Sequence, residues 1–186
     1  NTWFFLTADY AFGAALEKDT AAAVTAAGGK VVGGVKHPLN TPDFSSFLLQ
    51  GQTSKAKVIG LANAGGDTTN AIKQAAEFGI VQGGQKLGAL LFFINDAKAL
   101  GAKTAQGLTF TDSFYWDDND DTRAFAKRFS AMANKGQMPS MTQAGVYAAV
   151  LHYLKTLEAL GGNPRDGVKV VAKMKELPAV DKLFGN

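Results

Sequence analysis

Short apolar runs alternate with longer segments of helical periodicity over most of the chain. The apolar runs have strand length and cover residues 3–7, 30–35, 56–62, 86–94 and 107–111. The first of them, Trp3 to Thr7, is apolar throughout and not at every second position, which is typical of a strand covered on both faces. The pattern therefore predicts about five strands, of which the first is fully buried.

Helical segments separate these runs and continue after the last one. They cover residues 11–27, 44–52, 67–79, 97–100, 121–134, 140–160 and 165–175, and Asp67 is expected to cap the third of them. Glycine pairs at Gly28-Gly29 and Gly161-Gly162 end two of them, as glycine does at helix C-termini. Strands that alternate with helices predict a parallel sheet with right-handed crossovers. The predicted fold class is α/β, a three-layer α-β-α lobe with a mainly parallel sheet of about five strands, in one domain over residues 1–186.

Composition narrows the functional classes. The 186 residues fit one domain or one lobe, and 46% are apolar against 19% charged, which is an ordinary globular balance. The net charge of +3 comes with scattered lysines, so a solvated surface is favoured over a nucleic-acid partner. The absence of cysteine excludes disulfides, thiolate chemistry and cysteine-ligated metals. A strand so close to Asn1 predicts a chain cut from a longer protein.

Motifs for catalysis fail one by one. His37 is expected in a loop before Pro38, and His152 has no carboxylate three or four residues away that would complete a helical metal pair. Ser45 and Ser46 have no histidine nearby in sequence to activate them. The glycines at 83–84 precede a strand and lack the spacing of a phosphate loop. The expectation is a protein without enzymatic activity, cofactor or metal.

The acidic residues of the chain fit neither a calcium loop nor a phospho-accepting site. The run at 117–121 matches the first alternate ligands of a calcium loop, but Thr122 stands where glycine is needed and Arg128 where glutamate is needed. These acids are better explained as cap and first-turn charges of the next helix. A response-regulator fold also fails, because the third strand ends in Ala62-Asn63-Ala64 without a phospho-accepting aspartate.

The strand ends favour binding. Ligands of parallel α/β sheets lie outside the carboxyl ends of the strands. Residues 7–10, 62–66, 92–96 and 112–116 form these ends, and they are rich in aromatics, amides and small residues. For Phe92 and Phe93 core packing is the simpler reading, whereas Tyr10, Asn63 and Tyr115 fit a ligand contact equally well. Such a rim suits a cleft for a small organic molecule.

Several stretches resemble one known family. They are Trp3 to Gly13, Gly28 to Val32, Thr41 to Leu48 with its T-x-D-F pattern, and Ala144 to Ala149. In this order they resemble the second lobe of leucine/isoleucine/valine-binding-protein-like, type I solute receptors of ABC transporters. The resemblance covers nearly the whole chain. It implies two α/β lobes that close around a hinge on a ligand.

The resemblance also implies ligand contacts by position. They are Tyr10, the loop of Asn63, Ala64 and Gly65, the pair Asn95 and Asp96, and Thr142 and Gln143; Tyr115 joins them from the strand-end rim. Two departures from the amino-acid-binding members are Ala64-Gly65, where an aromatic is usual, and Asp96, which is shorter than their glutamate. The LANAGGDT and FYWD stretches look most like receptors for aromatic acids. The expected ligand is an aromatic carboxylic acid or a branched-chain-type amino acid.

The family context implies partners and a location. A small-molecule solute, the membrane subunits of an ABC importer and the chain's own missing first lobe are the expected partners, in the bacterial periplasm. Closing strands after Asn186 are expected to be missing as well, and the lone chain is expected to bind ligand weakly or undetectably. The alternative is a ligand-sensing domain of a receptor or regulator on the same fold.

Overall fold

The computed structural model describes residues 1–133, 136–162 and 166–184. The chain divides into two compact units, Asn1–Thr111 and Asp112–Asn186. The first contains the sheet, and the second is built on helices. Among the described residues, no helix is long and apolar enough to cross a membrane.

A five-strand sheet organises the first unit, with strand order β2-β1-β3-β4-β5 and every pairing parallel. The strands are β1 (Thr2–Ala8), β2 (Lys30–His37), β3 (Val58–Ala62), β4 (Lys86–Ala89) and β5 (Leu108–Phe110). Strand β1 lies between β2 and β3, and its residues from Phe4 to Ala8 are all buried. This burial is what its unbroken apolar run requires. The predicted fold class is confirmed.

Four helices connect these strands: α1 (Ala11–Ala26), α2 (Ser45–Thr53), α3 (Gly65–Glu77) and α4 (Ile94–Leu100). Leu6, Ile59 and Leu61 from the sheet and Phe44 and Ile72 from the connecting segments form one continuous core in which each side chain is essentially inaccessible to solvent. The hydrophobic contact of this core fixes the helices against the sheet.

The fourth strand is shorter than predicted. It ends at Ala89, and α4 begins at Ile94, three residues earlier than expected. The neighbouring β5 has only three residues, and its last residue, Phe110, pairs with Ala89, so the pairing between β4 and β5 stops there. Its apolar residues instead pack the core, with the Phe92 ring 5.2 Å from that of Phe110. Periodicity alone cannot separate a buried strand from a buried loop of the same composition.

Two local predictions in the first unit are wrong. His37 is the last residue of β2, opposite Ala8, and does not lie in a loop. Asp67 does not cap α3, because the helix begins at Gly65 with Ala64 as its N-cap. The Asp67 carboxylate is instead buried and accepts hydrogen bonds from the backbone N–H groups of Asn40 and Thr41, at 3.1 and 3.0 Å.

The second unit contains α5 (Asp120–Met132), α6 (Met141–Ala159) and α7 (Gly167–Glu176). Its buried apolar cluster is small and centres on Phe114, Phe125 and Ala144. The expected ends of the fifth and seventh helices at Asn134 and Arg165 lie outside the described residues. The acidic run does serve the helix as predicted: Asp120 and Asp121 lie in the first turn of α5.

Candidate functional site

The carboxyl ends of β2, β1 and β3 lie side by side at one edge of the sheet. This follows from their parallel pairing, which places Ala8 opposite His37 and Thr7 opposite Ala62. The turns that leave these strands therefore emerge together, and they carry the first group of predicted ligand contacts.

Tyr10 occupies the turn between β1 and α1. It is the N-cap of α1 in an extended conformation, and its side chain leaves the residue 41% exposed at the sheet edge, with the ring 5.7 Å from that of Phe12. The helix approaches the strand ends closely here, because a Cβ on Gly13 would lie 2.2 Å from the Ala8 carbonyl oxygen. Glycine at position 13 thus lets α1 begin directly behind Tyr10.

Asn63 follows β3 and is completely buried. Its amide Nδ2 lies 3.1 Å from His37 Nε2, and its Oδ1 accepts a hydrogen bond from Thr68 Oγ1 at 2.7 Å. Both ends of the amide therefore have protein partners. The assignment of Asn63 as a ligand contact stays a prediction. The Asn63 side chain also links the end of β2 to the first turn of α3 through its bonds to His37 and Thr68.

Ala64 and Gly65 present mostly backbone at the surface. Ala64 is half-buried, Gly65 is exposed, and no side chain at the N-cap position bonds to the first turn of α3. Gly65 has φ of +57°, a left-handed conformation that favours glycine. Free N–H groups at a helix N-terminus donate readily to anionic or carbonyl oxygens.

Asn95 and Asp96 lie in the first turn of α4, and both are half-buried. The Asp96 Oδ2 atom accepts a hydrogen bond from the backbone N–H of Phe93 at 3.1 Å. One carboxylate oxygen of Asp96 is thus committed to its own helix start.

Tyr115, Thr142 and Gln143 belong to the second unit and are all exposed there. Gln143 Oε1 accepts from the Ser140 N–H at 2.9 Å and from the Thr142 hydroxyl at 3.0 Å, so both polar residues help to fix the start of α6. They also line a groove of about 440 Å³ between α5 and α6. Its other lining residues are Phe125, Arg128, Phe129, Met132, Val146 and Tyr147.

His37, Thr41, Asp67 and Thr68 form a buried polar cluster under the sheet edge that the sequence analysis missed. The available signal was a histidine at the end of an apolar run, together with an Asn and a Thr five residues apart after the third strand. Neither feature forms a local motif, since the partners lie 26 residues apart in the chain.

The charged groups with perturbed acidity lie outside this cluster. The side-chain hydroxyl and the backbone N–H of Ser45 hydrogen-bond to Asp43 and lower the pKa of that carboxyl. Asp120 and Asp117 pair with Arg123 and raise the pKa of its guanidinium. Within the described ranges no group of three or more His, Asp and Glu residues is placed to hold a metal ion.

Comparison with known proteins identifies relatives over the whole length of the chain. The periplasmic binding protein family matches residues 1–186. The chain is 30% identical to Leu/Ile/Val-binding protein homolog 6 of Brucella melitensis over 174 residues, which cover 91% of this chain and 44% of that protein.

Two solved structures extend the likeness to three dimensions. A periplasmic binding protein from Burkholderia mallei is 56% identical, with a TM-score of 0.89 over 97% of this chain and 47% of that one. The solute-binding protein of an ABC transporter from Rhodopseudomonas palustris HaA2, in complex with p-hydroxybenzoic acid, is 26% identical, with a TM-score of 0.83 over 93% of this chain and 48% of that one. The chain thus spans about half the length of the proteins it matches.

Proposed function

The chain belongs to the periplasmic binding protein family, and on that premise we propose that it forms part of a periplasmic receptor that captures a small organic acid for an ABC importer. On this proposal it binds its solute and catalyses no reaction, in keeping with the failed motifs for nucleophiles, phosphate loops and metals. Its relatives are likewise described as binding proteins.

The observation that carries the proposal is the edge where β2, β1 and β3 end. An exposed aromatic ring, Tyr10, lies on one turn, and an exposed backbone segment, Ala64-Gly65, lies on the next. The ring offers a stacking surface, and the uncapped N–H groups of α3 offer donors to a carboxylate. Aromatic carboxylic acids present both complementary features. Asn63, Asn95, Asp96, Tyr115, Thr142 and Gln143 remain proposed contacts.

Two relatives support two ligand classes. The Rhodopseudomonas protein holds p-hydroxybenzoic acid, and the Brucella protein is named for leucine, isoleucine and valine. We favour the aromatic acid, because Ala64 and Gly65 add little side-chain bulk to the turn after β3, and Asp96 uses one of its carboxylate oxygens within α4. An ammonium group would have to share that carboxylate with the backbone N–H of Phe93.

The rest of the receptor is the proposed partner of the second unit. Helix α6 exposes a row of apolar side chains: Val146 at 65%, Val150 at 51%, Tyr153 at 37% and Leu154 at 53%. Apolar faces of this extent mark interaction surfaces in soluble proteins. The matched proteins are about twice as long as this chain. A corresponding second half of this receptor is the proposed cover for the apolar face of α6.

A thermal-shift screen of the full-length protein against hydroxybenzoates and branched-chain amino acids tests the proposal. We expect stabilisation by an aromatic acid, and Tyr10→Ala is expected to weaken its affinity by about tenfold through loss of the stacking surface. Phe78→Ala is the matched control, since Phe78 is also an exposed aromatic but follows the opposite end of α3. A flat response to both ligand classes, or an equal loss in the two variants, would contradict the proposal.

A further inference from the structure

The buried cluster under the sheet edge has one member that reaches both proposed contact turns. We propose that His37 is a positioning residue, which holds the Tyr10 turn through its backbone and the Ala64-Gly65 turn through its ring, and so sets ligand affinity without touching the ligand. The proposal rests on the proposed function of this edge.

The backbone contact is direct. The carbonyl oxygen of His37 accepts a hydrogen bond from the N–H of Asp9 at 2.8 Å, and Asp9 precedes Tyr10. An exposed ion pair between Lys36 and Asp9, 3.2 Å apart, spans the same two strands. The end of β2 therefore fixes where the β1–α1 turn begins.

The ring contact has a defined polarity. His37 Nδ1 lies 2.8 Å from the Pro38 carbonyl oxygen, which can only accept, so this nitrogen carries the proton. His37 Nε2 then accepts from the Asn63 amide N–H at 3.1 Å. The Asn63 Oδ1 atom faces the Thr68 hydroxyl, which donates to it at 2.7 Å. These hydrogen bonds form a series from Pro38 through His37 and Asn63 to Thr68. The tautomer of the His37 ring therefore sets which way the Asn63 amide is oriented.

Packing holds the ring in place for this task. His37 is completely buried, with its ring edge-on to Phe44 at 4.9 Å and to Phe47 at 6.0 Å. On the Nδ1 side, the Thr41 hydroxyl donates to the same Pro38 oxygen at 2.6 Å. Asp67, a charged member of the cluster, holds the loop backbone at Asn40 and Thr41, and the exposed Lys36–Asp9 pair lies beside His37 at the ends of β2 and β1.

Replacement of the His37 imidazole by an apolar side chain should affect the Ala64-Gly65 turn more than the Tyr10 turn. An apolar residue at position 37 keeps the carbonyl that binds Asp9, whereas it leaves the buried Asn63 amide without its acceptor. Buried polar groups that lose a partner favour rearrangement. The segment from Asn63 to Gly66 should therefore loosen, while the N–H of Asp9 stays protected.

The test uses the full-length protein with p-hydroxybenzoate as the first probe and leucine as the second. We expect His37→Leu to weaken affinity by roughly tenfold and to speed hydrogen exchange at Thr68 and Thr69, the first amides of α3 with a partner in the Ala64-Gly65 turn, but not at Asp9. His37→Gln can still accept from Asn63, and it is expected to recover affinity to within about threefold of the unsubstituted protein. Leu87→Val, a buried change in β4, controls for general loss of stability.

Nitrogen-15 NMR of the unsubstituted protein supplies a readout that needs neither ligand nor variant. The proposal requires a proton on Nδ1 and none on Nε2 of His37, and a proton on Nε2 would overturn it. Equal affinities in His37→Leu and the unsubstituted protein, or equal losses in the Leu and Gln variants, would also overturn it. If neither probe binds the unsubstituted protein, the proposed function fails, while the tautomer and the exchange pattern still decide the role of His37.

Discussion

The two units bury their apolar side chains to very different extents. In the first, Leu61 and Ile72 are inaccessible to solvent between sheet and helices. In the second, Leu154 on α6 is 53% exposed and Val168 on α7 is 82% exposed. Sequence periodicity predicts that a helix has an apolar face, but it does not identify what covers that face. The covering surface comes from elsewhere in the chain or from another molecule. The second unit's partner, on our proposal, is the rest of the receptor.

The largest expected effect separates the units by a single type of substitution. In the 186-residue chain, Leu61→Ala should destabilise the first unit by about 3 kcal/mol, because it leaves a cavity in a closed core. Leu154→Ala should change stability by less than about 0.5 kcal/mol, since more than half of the residue is already exposed. Urea denaturation with separate probes for the two units measures both.

The Leu154→Ala variant should behave differently in the full-length protein. There, Leu154→Ala should lower stability by about 2 kcal/mol, as a newly buried leucine would. Glu158→Ala, on the exposed surface of the same helix, is the control and should remain near neutral. A Leu154→Ala effect that is equally small in both lengths would mean that nothing covers α6.

Glycines provide a second contrast of smaller size. Gly65→Ala should destabilise the first unit by about 1 kcal/mol, because Gly65 holds φ at +57°. Gly145→Ala in α6 should stabilise the lone chain by about 0.5 kcal/mol, because Gly145 is inside a helix and no atom lies within 4 Å of an added Cβ. Thermal unfolding of the two variants gives the signs, and a stabilising Gly65→Ala would contradict the described turn.

The smallest effect concerns acidity at the start of α2. Ser45→Ala should raise the pKa of Asp43 toward its ordinary value, because it removes the hydroxyl that contributes most to the lowered pKa. A carboxyl with a lowered folded-state pKa stabilises the protein above its unfolded-state pKa, and this contribution is lost as the pH falls through the folded-state value. An NMR titration of Asp43 that shows no difference between variant and parent would refute the assignment.

The fold was largely predictable because its signals are local. The buried run at β1, the glycine that ends α1 and the alternation of strands and helices all act within a few residues, and they led to the observed parallel sheet. The end of β4 was not predictable, because it depends on the length of β5, whose residues pair with those of β4 from 21 positions later in the chain. The His37–Asn63 contact was missed for the same reason.

The candidate site was predictable as a location but less so as a set of side-chain roles. Strand ends place Tyr10 and Ala64-Gly65 at the edge from topology alone. The sequence does not show that the Asn63 amide bonds to His37 and Thr68, or that Asp96 bonds to its own helix start. These hydrogen bonds depend on distances between atoms that only the folded chain brings together.

Isothermal titration calorimetry of two proteins side by side tests the central claim most directly. The full-length protein and the 186-residue chain are titrated with p-hydroxybenzoate and with leucine under identical conditions. We predict that the full-length protein binds one of them with micromolar affinity, and that the lone chain binds the same ligand at least about 100-fold more weakly. Micromolar affinity in the lone chain would contradict the claim that it is an incomplete binding site, and no binding by the full-length protein would contradict the receptor function itself.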